Sequence, residues 1–296
     1  MVSLMQTVQS LCEQFKVPGL HFEAGLGGLT KAIVTTPVAS GEIYLHGAHV
    51  TSWQPAGHEP VLWMSRSSLF QTGKPIRGGV PICFPWFGPH ASDPSAPAHG
   101  FARTALWEVT DARTTAEGGI SLTLQTRIDS FSVRFTVEFG SVLQMALTTE
   151  PVPGTSTSQR FEDALHTYFS VSDVRSVSIS GLEQARYIDK VDGAAEKSAT
   201  GNAIVFMGET DRVYLNTVAE CQLIDPDRKR TIVISKSGSQ STVVWNPWIA
   251  KSARMPDFGD HEWPEMVCIE TANVGSNAIE LAPNTSHTTT VVIRVQ

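Results

Sequence analysis

Two segments of the sequence carry side chains that could move protons. His166 lies in the strand-like run LHTYFSV at residues 165–171, and Glu270 follows an apolar run in MVCIETANV at residues 266–274. Histidine is well suited to deliver a proton near neutral pH. Partial burial would raise the pKa of a carboxylate toward that of a working general base. A lone histidine beside apolar residues is more often a core group, so the local sequence leaves both roles open.

Arginine and histidine side chains in two nearby segments could hold a small anion. Arg77 precedes two glycines in IRGGVPICFPWFG at residues 76–88, and His99 and Arg103 lie four residues apart in HGFAR. Residues four apart share one side of an extended chain, and adjacent glycines let the backbone approach a ligand. A guanidinium holds a phosphate through two directed hydrogen bonds. The alternatives are a structural salt bridge for Arg77 and an ordinary surface position for Arg103.

A carboxylate and an indole could hold a polyol. Asp211 precedes a predicted strand in ETDRVYLNT, and Trp245 lies in VVWNPW, close to Trp248. Aromatic faces stack on the C–H surface of a sugar, while carboxylate oxygens accept its hydroxyl hydrogens. A turn-capping aspartate and core tryptophans would explain the same residues.

Other reaction types lack their motifs. The nine histidines form no HExxH pattern and no zinc-like spacing with cysteine. No GxSxG segment indicates a nucleophilic serine, and GLGGL at residues 25–29 lacks the spacing of a dinucleotide fingerprint. We therefore predict no metal, no cofactor and no covalent intermediate.

The elements that must position these residues are predicted to be strands. From about residue 30, more than a dozen short runs rich in Val, Ile, Thr, Phe and Tyr are separated by turn residues, and they include residues 61–64 and 204–207. Almost no helix is predicted between them, which excludes repeated βαβ units. The pattern predicts an all-β fold, a large antiparallel β-sandwich. The Pro-rich stretch at residues 88–100 is typical of a functional loop.

The N-terminal segment has a different pattern. Leu4, Val8, Leu11 and Phe15 form a helical apolar stripe whose polar face is not basic, so we expect this helix to pack on the main body. Residues 1–30 are interpreted as a helical extension. No repeat or charge run divides the chain, so one domain over residues 1–296 is predicted.

Composition restricts the partners. The 296 residues carry 22 Lys and Arg against 29 Asp and Glu, a net charge of −7, with no basic cluster for a nucleic acid. No apolar run is long enough to span a membrane. Four scattered cysteines indicate reduced thiols and a cytoplasmic location. A monomer is expected, because no feature suggests an obligate partner.

Six blocks of the sequence, taken in order, resemble one known family. They are IRGGVPICFPWFG, AHGFAR, LHTYF, ETDRVYLN, VVWNPW and VCIETANV. The chain is similar to the D-hexose-6-phosphate mutarotases, also called glucose-6-phosphate 1-epimerases, of the aldose 1-epimerase superfamily. The resemblance runs from about Ile43 to the C-terminus. It implies a galactose mutarotase-like supersandwich whose concave sheet face is open to solvent and holds the site.

The resemblance implies interconversion of the α and β anomers of a hexose 6-phosphate, with glucose 6-phosphate as the expected substrate. By motif position, His166 matches the catalytic acid and Glu270 the catalytic base. Ring opening removes a proton from the O1 hydroxyl and delivers one to the ring oxygen, so one acid and one base suffice. We expect the two side chains to meet at opposite edges of a single pyranose.

The remaining candidates match binding positions of the family. Arg77 and Arg103 match the phosphate ligands, a pair that plain galactose mutarotases lack. His99 and Asp211 match groups that contact the sugar. Some members carry glutamine immediately before the HG of this motif, where this chain has Ala98. That difference puts one substrate hydrogen bond in doubt and leaves the reaction unaffected.

A non-catalytic carbohydrate-binding β-sandwich is the alternative function. Such a module could use the same aromatic rings and carboxylate, but it would have no use for an acid facing a base. A polysaccharide lyase or hydrolase is less compatible, because glycosidases generally use two carboxylates. The discriminating pair is therefore His166 with Glu270.

Overall fold

Antiparallel strands are the main regular structure of residues 6–296, the part of the chain that this computed structural model describes. The two helices are α1 (Val8–Gln14) and α2 (Trp248–Ser252), and four single turns of 3₁₀ helix span Leu26–Gly28, Ala102–Thr104, Trp263–Glu265 and Gly275–Asn277. The strands, in chain order, are β1 (Leu20–Ala24), β2 (Thr30–Thr35), β3 (Ala39–Tyr44), β4 (His49–Pro55), β5 (Ile82–Cys83), β6 (Glu108–Thr114), β7 (Ile120–Ile128), β8 (Phe131–Phe139), β9 (Leu143–Pro151), β10 (Gln159–Phe161), β11 (Asp163–Leu165), β12 (Tyr168–Ser170), β13 (Ser178–Ser180), β14 (Arg186–Asp189), β15 (Ala195–Ser198), β16 (Thr210–Leu215), β17 (Cys221–Asp225), β18 (Arg230–Ser237), β19 (Ser241–Asn246), β20 (Met266–Asn273), β21 (Ile279–Leu281) and β22 (His287–Val295).

Two eight-stranded sheets form the body. The site sheet has the order β15-β14-β16-β19-β20-β11-β5, with β12 also paired to β20, and the backing sheet has the order β13-β17-β18-β22-β9-β8-β7-β6. Strands β1 to β4 form a smaller sheet, and β10 pairs with β21. Side chains from both large sheets share one apolar core, for example Val244 and Ile269 with Leu147 and Val291. The predicted all-β antiparallel sandwich is confirmed.

Side chains of the site-sheet strands alternate between a face that packs in the core and a face that lines a cavity. Val244 and Ile269 are register partners on β19 and β20, and both lie in the main core. Their chain neighbours Val243 and Glu270 are also register partners, and both line a cavity on the opposite face. Because successive side chains of a strand point to opposite faces, one face of the site sheet is committed to the core and the other is free to carry chemistry.

The N-terminal helix is confirmed, but it is shorter than the predicted extension. Thr7 and Ser10 form a reciprocal capping box at the start of α1, and Leu11 is fully buried. Leu4 lies outside the described residues. The helical interpretation is wrong beyond Gln14, because Pro18 and Gly19, with φ +85°, end the helical segment before β1.

Strand β1 pairs with β2 and forms one end of the small sheet.

None of the helices within residues 6–296 has the length and apolar character needed to cross a membrane. The single domain over residues 1–296 stays a prediction.

Two predicted strands are wrong. Residues 61–64 and 204–207 form only isolated bridges, such as Leu62 with Phe169 and Ile204 with Ile179. Val61, Leu62 and Ile204 are nevertheless buried. Short apolar runs indicate burial, but they do not separate a strand from a buried irregular segment.

Candidate active site

Six of the seven predicted site residues line one cavity of about 310 Å³ on the free face of the site sheet. They are Arg77, His99, His166, Asp211, Trp245 and Glu270. The predicted loop at residues 88–100 contributes Gly88 and Pro89 to the wall. A larger neighbouring cavity of about 460 Å³ shares Pro89 but contains none of the seven. The chemistry-bearing groups therefore converge in the smaller cavity.

Strand register explains why His166 meets Glu270. Leu165 of β11 pairs with Thr271, and Tyr168 of β12 pairs with Cys268, both on β20. His166, just after β11, therefore lies across from Glu270 between these two pairs. Its Nε2 lies 3.3 Å from Oε1 of Glu270.

Burial gives this pair unusual proton affinities. Glu270 is only 1% exposed and His166 8%. Burial raises the pKa of Glu270 well above its usual value, and the nearby Asp211 carboxylate adds to the rise. Burial also lowers the pKa of His166 well below its usual value, helped by the neighbouring His99. Both shifts disfavour charge, so the pair holds one proton over a wide pH range.

Each member of the pair also has a second polar atom with no partner. Within residues 6–296, His166 Nδ1 and Glu270 Oε2 are buried without a hydrogen bond. Leaving such atoms unpaired is costly, and buried unsatisfied groups concentrate at functional sites. Both residues also line the cavity.

The expectation that acid and base meet at opposite edges of a pyranose is wrong in one respect. His166 and Glu270 stand side by side, 3.3 Å apart. In the reaction expected from the resemblance, the oxygens O1 and O5 that exchange protons are both bonded to C1 of the sugar. Adjacent groups would therefore suit that reaction better than opposed ones.

Arg77 is held in place by two neighbours. Its Nε and Nη2 donate to the Asp257 carboxylate at 3.0 to 3.3 Å, and its Nη1 donates to the Tyr168 hydroxyl at 2.9 Å. Burial alone would lower the pKa of Arg77, but Tyr168 and Asp257 raise it. The structural salt bridge considered from the sequence is therefore present, while Arg77 still lines the cavity.

Arg103 is the predicted residue that the structure does not bring to the cavity wall. It is half-buried, and its Nη2 donates to the Ala98 carbonyl at 2.6 Å. Burial lowers the pKa of Arg103, and the neighbouring charge of Arg77 acts in the same direction. Within residues 6–296 it forms no salt bridge. Arg103 therefore lies close to Arg77 without a carboxylate of its own.

The glycines after Arg77 serve the backbone rather than a ligand. Gly78 has φ +108° and Gly79 φ +57°, a region that favours glycine. A Cβ on Gly78 would lie 2.5 Å from the Trp63 carbonyl oxygen, and one on Gly79 2.2 Å from that of Val50. The backbone at Gly78 and Gly79 therefore approaches neighbouring chain segments rather than a ligand. This close packing positions the adjacent Arg77 at the cavity.

His99 presents one ring nitrogen to the cavity environment. Its Nδ1 accepts from the Gly88 backbone N–H at 3.3 Å, which places the proton of the neutral ring on Nε2. Burial lowers the pKa of His99 to about 3, with Arg103 contributing. The ring meets that of His166 edge-on at 5.9 Å. A neutral His99 is therefore available as a hydrogen-bond donor.

Asp211 and Trp245 form the wall on neighbouring strands. They are register partners on β16 and β19, so Asp211 lies within a strand rather than before one. An Asp211 oxygen lies 3.5 Å from Lys251 Nζ. Trp245 is 7% exposed and meets His166 edge-on at 6.0 Å, so little of its face is open. Trp248 packs on Trp263, with ring centroids 4.3 Å apart.

Metal ligands are not grouped at this site. Across residues 6–296, no set of three or more His, Cys, Asp or Glu side chains is placed to hold a metal ion. The arrangement offers instead a buried proton-transfer pair, nearby cations and hydrogen-bonding side chains around a cavity large enough for a small molecule.

Comparison with known proteins identifies the family. A sequence model described as aldose 1-epimerase matches residues 34–294. The chain belongs to the aldose 1-epimerase family. It is 38% identical over 251 residues to an Escherichia coli K12 protein provisionally named glucose-6-phosphate 1-epimerase, which covers 83% of this chain and 84% of that protein. A protein from Cenchrus ciliaris with the same provisional name is 37% identical over 249 residues, 79% of this chain and 74% of that one.

A solved structure agrees with this family assignment. The crystal structure of a Salmonella typhimurium protein, provisionally described as a mutarotase, superposes with a TM-score of 0.87 at 33% identity and covers 94% of both chains. The resemblance inferred from the six sequence blocks is confirmed.

The sequence analysis missed several residues of this site, among them Tyr168, Asp257 and Lys190. Tyr168 lies two residues after His166, a spacing that places both on one side of an extended chain. Asp257, in RMPDFGD, and Lys190, in IDKVDG, have no local signal that marks them. Their positions depend on how distant segments pack.

Proposed function

We propose that this aldose 1-epimerase interconverts the α and β anomers of a hexose 6-phosphate, with glucose 6-phosphate as the substrate. The observation that carries the proposal is the 3.3 Å approach of His166 Nε2 to Glu270 Oε1 beside the cavity. The provisional names of the relatives point to the same substrate. The cytoplasmic location and monomeric state stay predictions.

The proposed mechanism needs two coordinated proton transfers. Glu270 takes the proton of the O1 hydroxyl as a general base, and His166 donates a proton to the ring oxygen as a general acid. The C1–O5 bond then breaks and a free aldehyde forms. Rotation about C1–C2 presents the other face, and ring closure reverses the two roles. The protein regains its starting protonation state at the end of each turnover.

One proton on the pair is enough for this cycle. With the proton on His166, the imidazolium is the acid and the carboxylate the base. Transfer across the 3.3 Å contact gives the neutral pair that burial favours. The two forms have the same net charge and differ only in which residue holds the proton. The pair can therefore exchange protons with the substrate without taking one from solvent.

The two arginines support binding of the phosphate. Arg77 and Arg103 are electrostatic neighbours, and Asp257 is the carboxylate that pairs with Arg77. One carboxylate leaves one positive charge uncompensated across the two arginines, which favours a dianionic group. The phosphate changes little during ring opening, so its binding energy serves to orient the reacting end of the sugar.

Anomer exchange tests the proposal directly. We expect NMR saturation transfer between the α and β anomers of glucose 6-phosphate to increase when the protein is added. Unphosphorylated glucose, measured in parallel, should exchange more slowly at equal concentration. Binding without faster exchange would contradict the proposal and favour the alternative of a carbohydrate-binding module.

The rate should depend on pH in a bell shape. Below the lowered pKa of His166 the pair gains a second proton and loses its base. Above the raised pKa of Glu270 it loses its last proton and with it the acid. We therefore expect the acid limb well below pH 6.5 and the alkaline limb well above pH 4.5, measured as kcat against pH. A rate that rises steadily with pH would contradict a shared proton.

Arg103→Ala should weaken binding of the phosphorylated sugar. Losing a charge-assisted hydrogen bond costs about 1.5–3 kcal/mol, so KM for glucose 6-phosphate should rise roughly 10- to 100-fold with a small change in kcat. The rate with unphosphorylated glucose is the internal control and should not change. An unchanged KM for the phosphate ester would remove Arg103 from the phosphate site.

A further inference from the structure

The cations that line the cavity differ in how far they are neutralised. Arg77 is paired with Asp257, and Lys251 lies 3.0 Å from Glu209 and 3.5 Å from Asp211. Lys190 also lines the cavity, and within residues 6–296 it forms no ion pair. A cation at a cavity wall that is not within ion-pair distance of a carboxylate is available to a ligand.

The position of Lys190 is defined by its backbone and by an aromatic ring. Its backbone N–H donates to the Asp211 carbonyl at 2.8 Å, which fixes the turn after β14 against β16. Its Nζ lies 4.6 Å from the centroid of the Phe87 ring, which also lines the cavity. An ammonium over an aromatic face is held there by the negative face of the ring.

The charges around Lys190 decide which ligand group it suits. Burial raises the pKa of both Asp211 and Glu270, and the nearby ammonium of Lys190 opposes both rises. The ammonium therefore interacts electrostatically with both carboxyl groups, although it is not within ion-pair distance of either. A phosphate beside Lys190 would also approach Asp211 and Glu270 and would be repelled when they are ionised. A sugar hydroxyl has no such conflict, because it can accept from Lys190 and donate to Asp211.

We propose that Lys190 is a substrate-binding residue that donates a hydrogen bond to a ring hydroxyl of the sugar, and that the same hydroxyl donates to Asp211. This inference rests on the proposed function and extends it. It assigns the two ends of the substrate to different charge environments, with the phosphate near the two arginines and a ring hydroxyl between Lys190 and Asp211.

Deoxy sugars test the assignment. The enzyme and Lys190→Met would be assayed for anomer exchange with glucose 6-phosphate and its 2-deoxy, 3-deoxy and 4-deoxy analogues. Losing a hydrogen bond from a charged donor should lower kcat/KM of the variant about 10-fold with glucose 6-phosphate. One deoxy analogue should show a penalty with the unmodified enzyme that disappears in the variant. Comparing ratios removes the intrinsic reactivity of each sugar.

Two further variants separate a ligand role from a structural one. Lys197→Met removes a lysine of the same hairpin that pairs with Asp189 and Asp192 outside the cavity wall, so kcat/KM should not change. Lys190→Arg retains the charge and should restore part of the deoxy-sugar penalty. Thermal unfolding of each variant shows whether the hairpin has been disturbed.

Each outcome decides between specific possibilities. Equal deoxy penalties in the enzyme and in Lys190→Met would overturn the inference and leave the proposed function standing. A Lys190→Met defect that appears with glucose 6-phosphate and is absent with glucose would identify Lys190 as a phosphate ligand and overturn the hydroxyl assignment. If the unmodified enzyme accelerates none of these sugars, the proposed function fails and the inference fails with it.

Discussion

We expect Glu270→Gln to lower kcat for anomer exchange about 10²- to 10⁴-fold, the range contributed by a positioned acid or base. Glutamine retains the size of the side chain but can neither take nor release a proton. Burial disfavours the charged carboxylate, as the raised pKa of Glu270 shows, so the neutral amide should fold at least as well. Saturation-transfer NMR would measure the rate, and thermal unfolding would confirm that the variant is folded.

His166→Ala should cause a loss of similar size, and the double variant should be little worse than either single one. In the proposed mechanism the acid and the base act on one proton path, so removing either interrupts it. Glu280→Gln is a matched control, because that carboxylate pairs with Arg160 and is exposed outside the cavity. Losses that multiply in the double variant would show that the two residues act independently.

The sequence analysis predicted strands best where buried and less buried side chains alternate along the chain. Strand β8 has every second side chain buried from Phe131 to Phe139, which matches its apolar pattern. Strand β14 was missed, because Arg186–Asp189 offers only short alternation among charged residues. It is a strand because the site sheet continues across it, pairing it with β15 and β16. Local propensity does not contain that tertiary contribution.

In the candidate site, too, local sequence predicted some features and tertiary packing determined the others. Residue type and local pattern selected His166 and Glu270, but their contact depends on the pairing of Leu165 with Thr271. Register of this kind is set by packing across the whole sheet. Asp257 lies 180 residues after Arg77, and no local signal connects them. Partners of charged residues were therefore the least predictable part.

Arg77→Ala should reduce both stability and affinity. Without the guanidinium, the Asp257 carboxylate, whose side chain is 11% exposed, is left unpaired in a mostly buried position. Breaking a buried pair costs about 3–5 kcal/mol, and this pair's partial exposure places the loss near 3 kcal/mol. We also expect KM for glucose 6-phosphate to rise, because one of the two proposed phosphate-binding cations is lost. Urea unfolding and anomer-exchange kinetics measure the two effects separately.

A second substitution separates stability from binding. Arg77→Ala with Asp257→Ala removes both charges, so most of the lost stability should return. KM should stay high, because the proposal assigns phosphate binding to Arg77 and only the support of Arg77 to Asp257. Arg77→Lys keeps the charge but not the paired contacts to Asp257 and Tyr168, and should fall between the two. If the double variant regained both stability and a low KM, Arg77 would be a structural residue and the phosphate would have to bind elsewhere in the cavity.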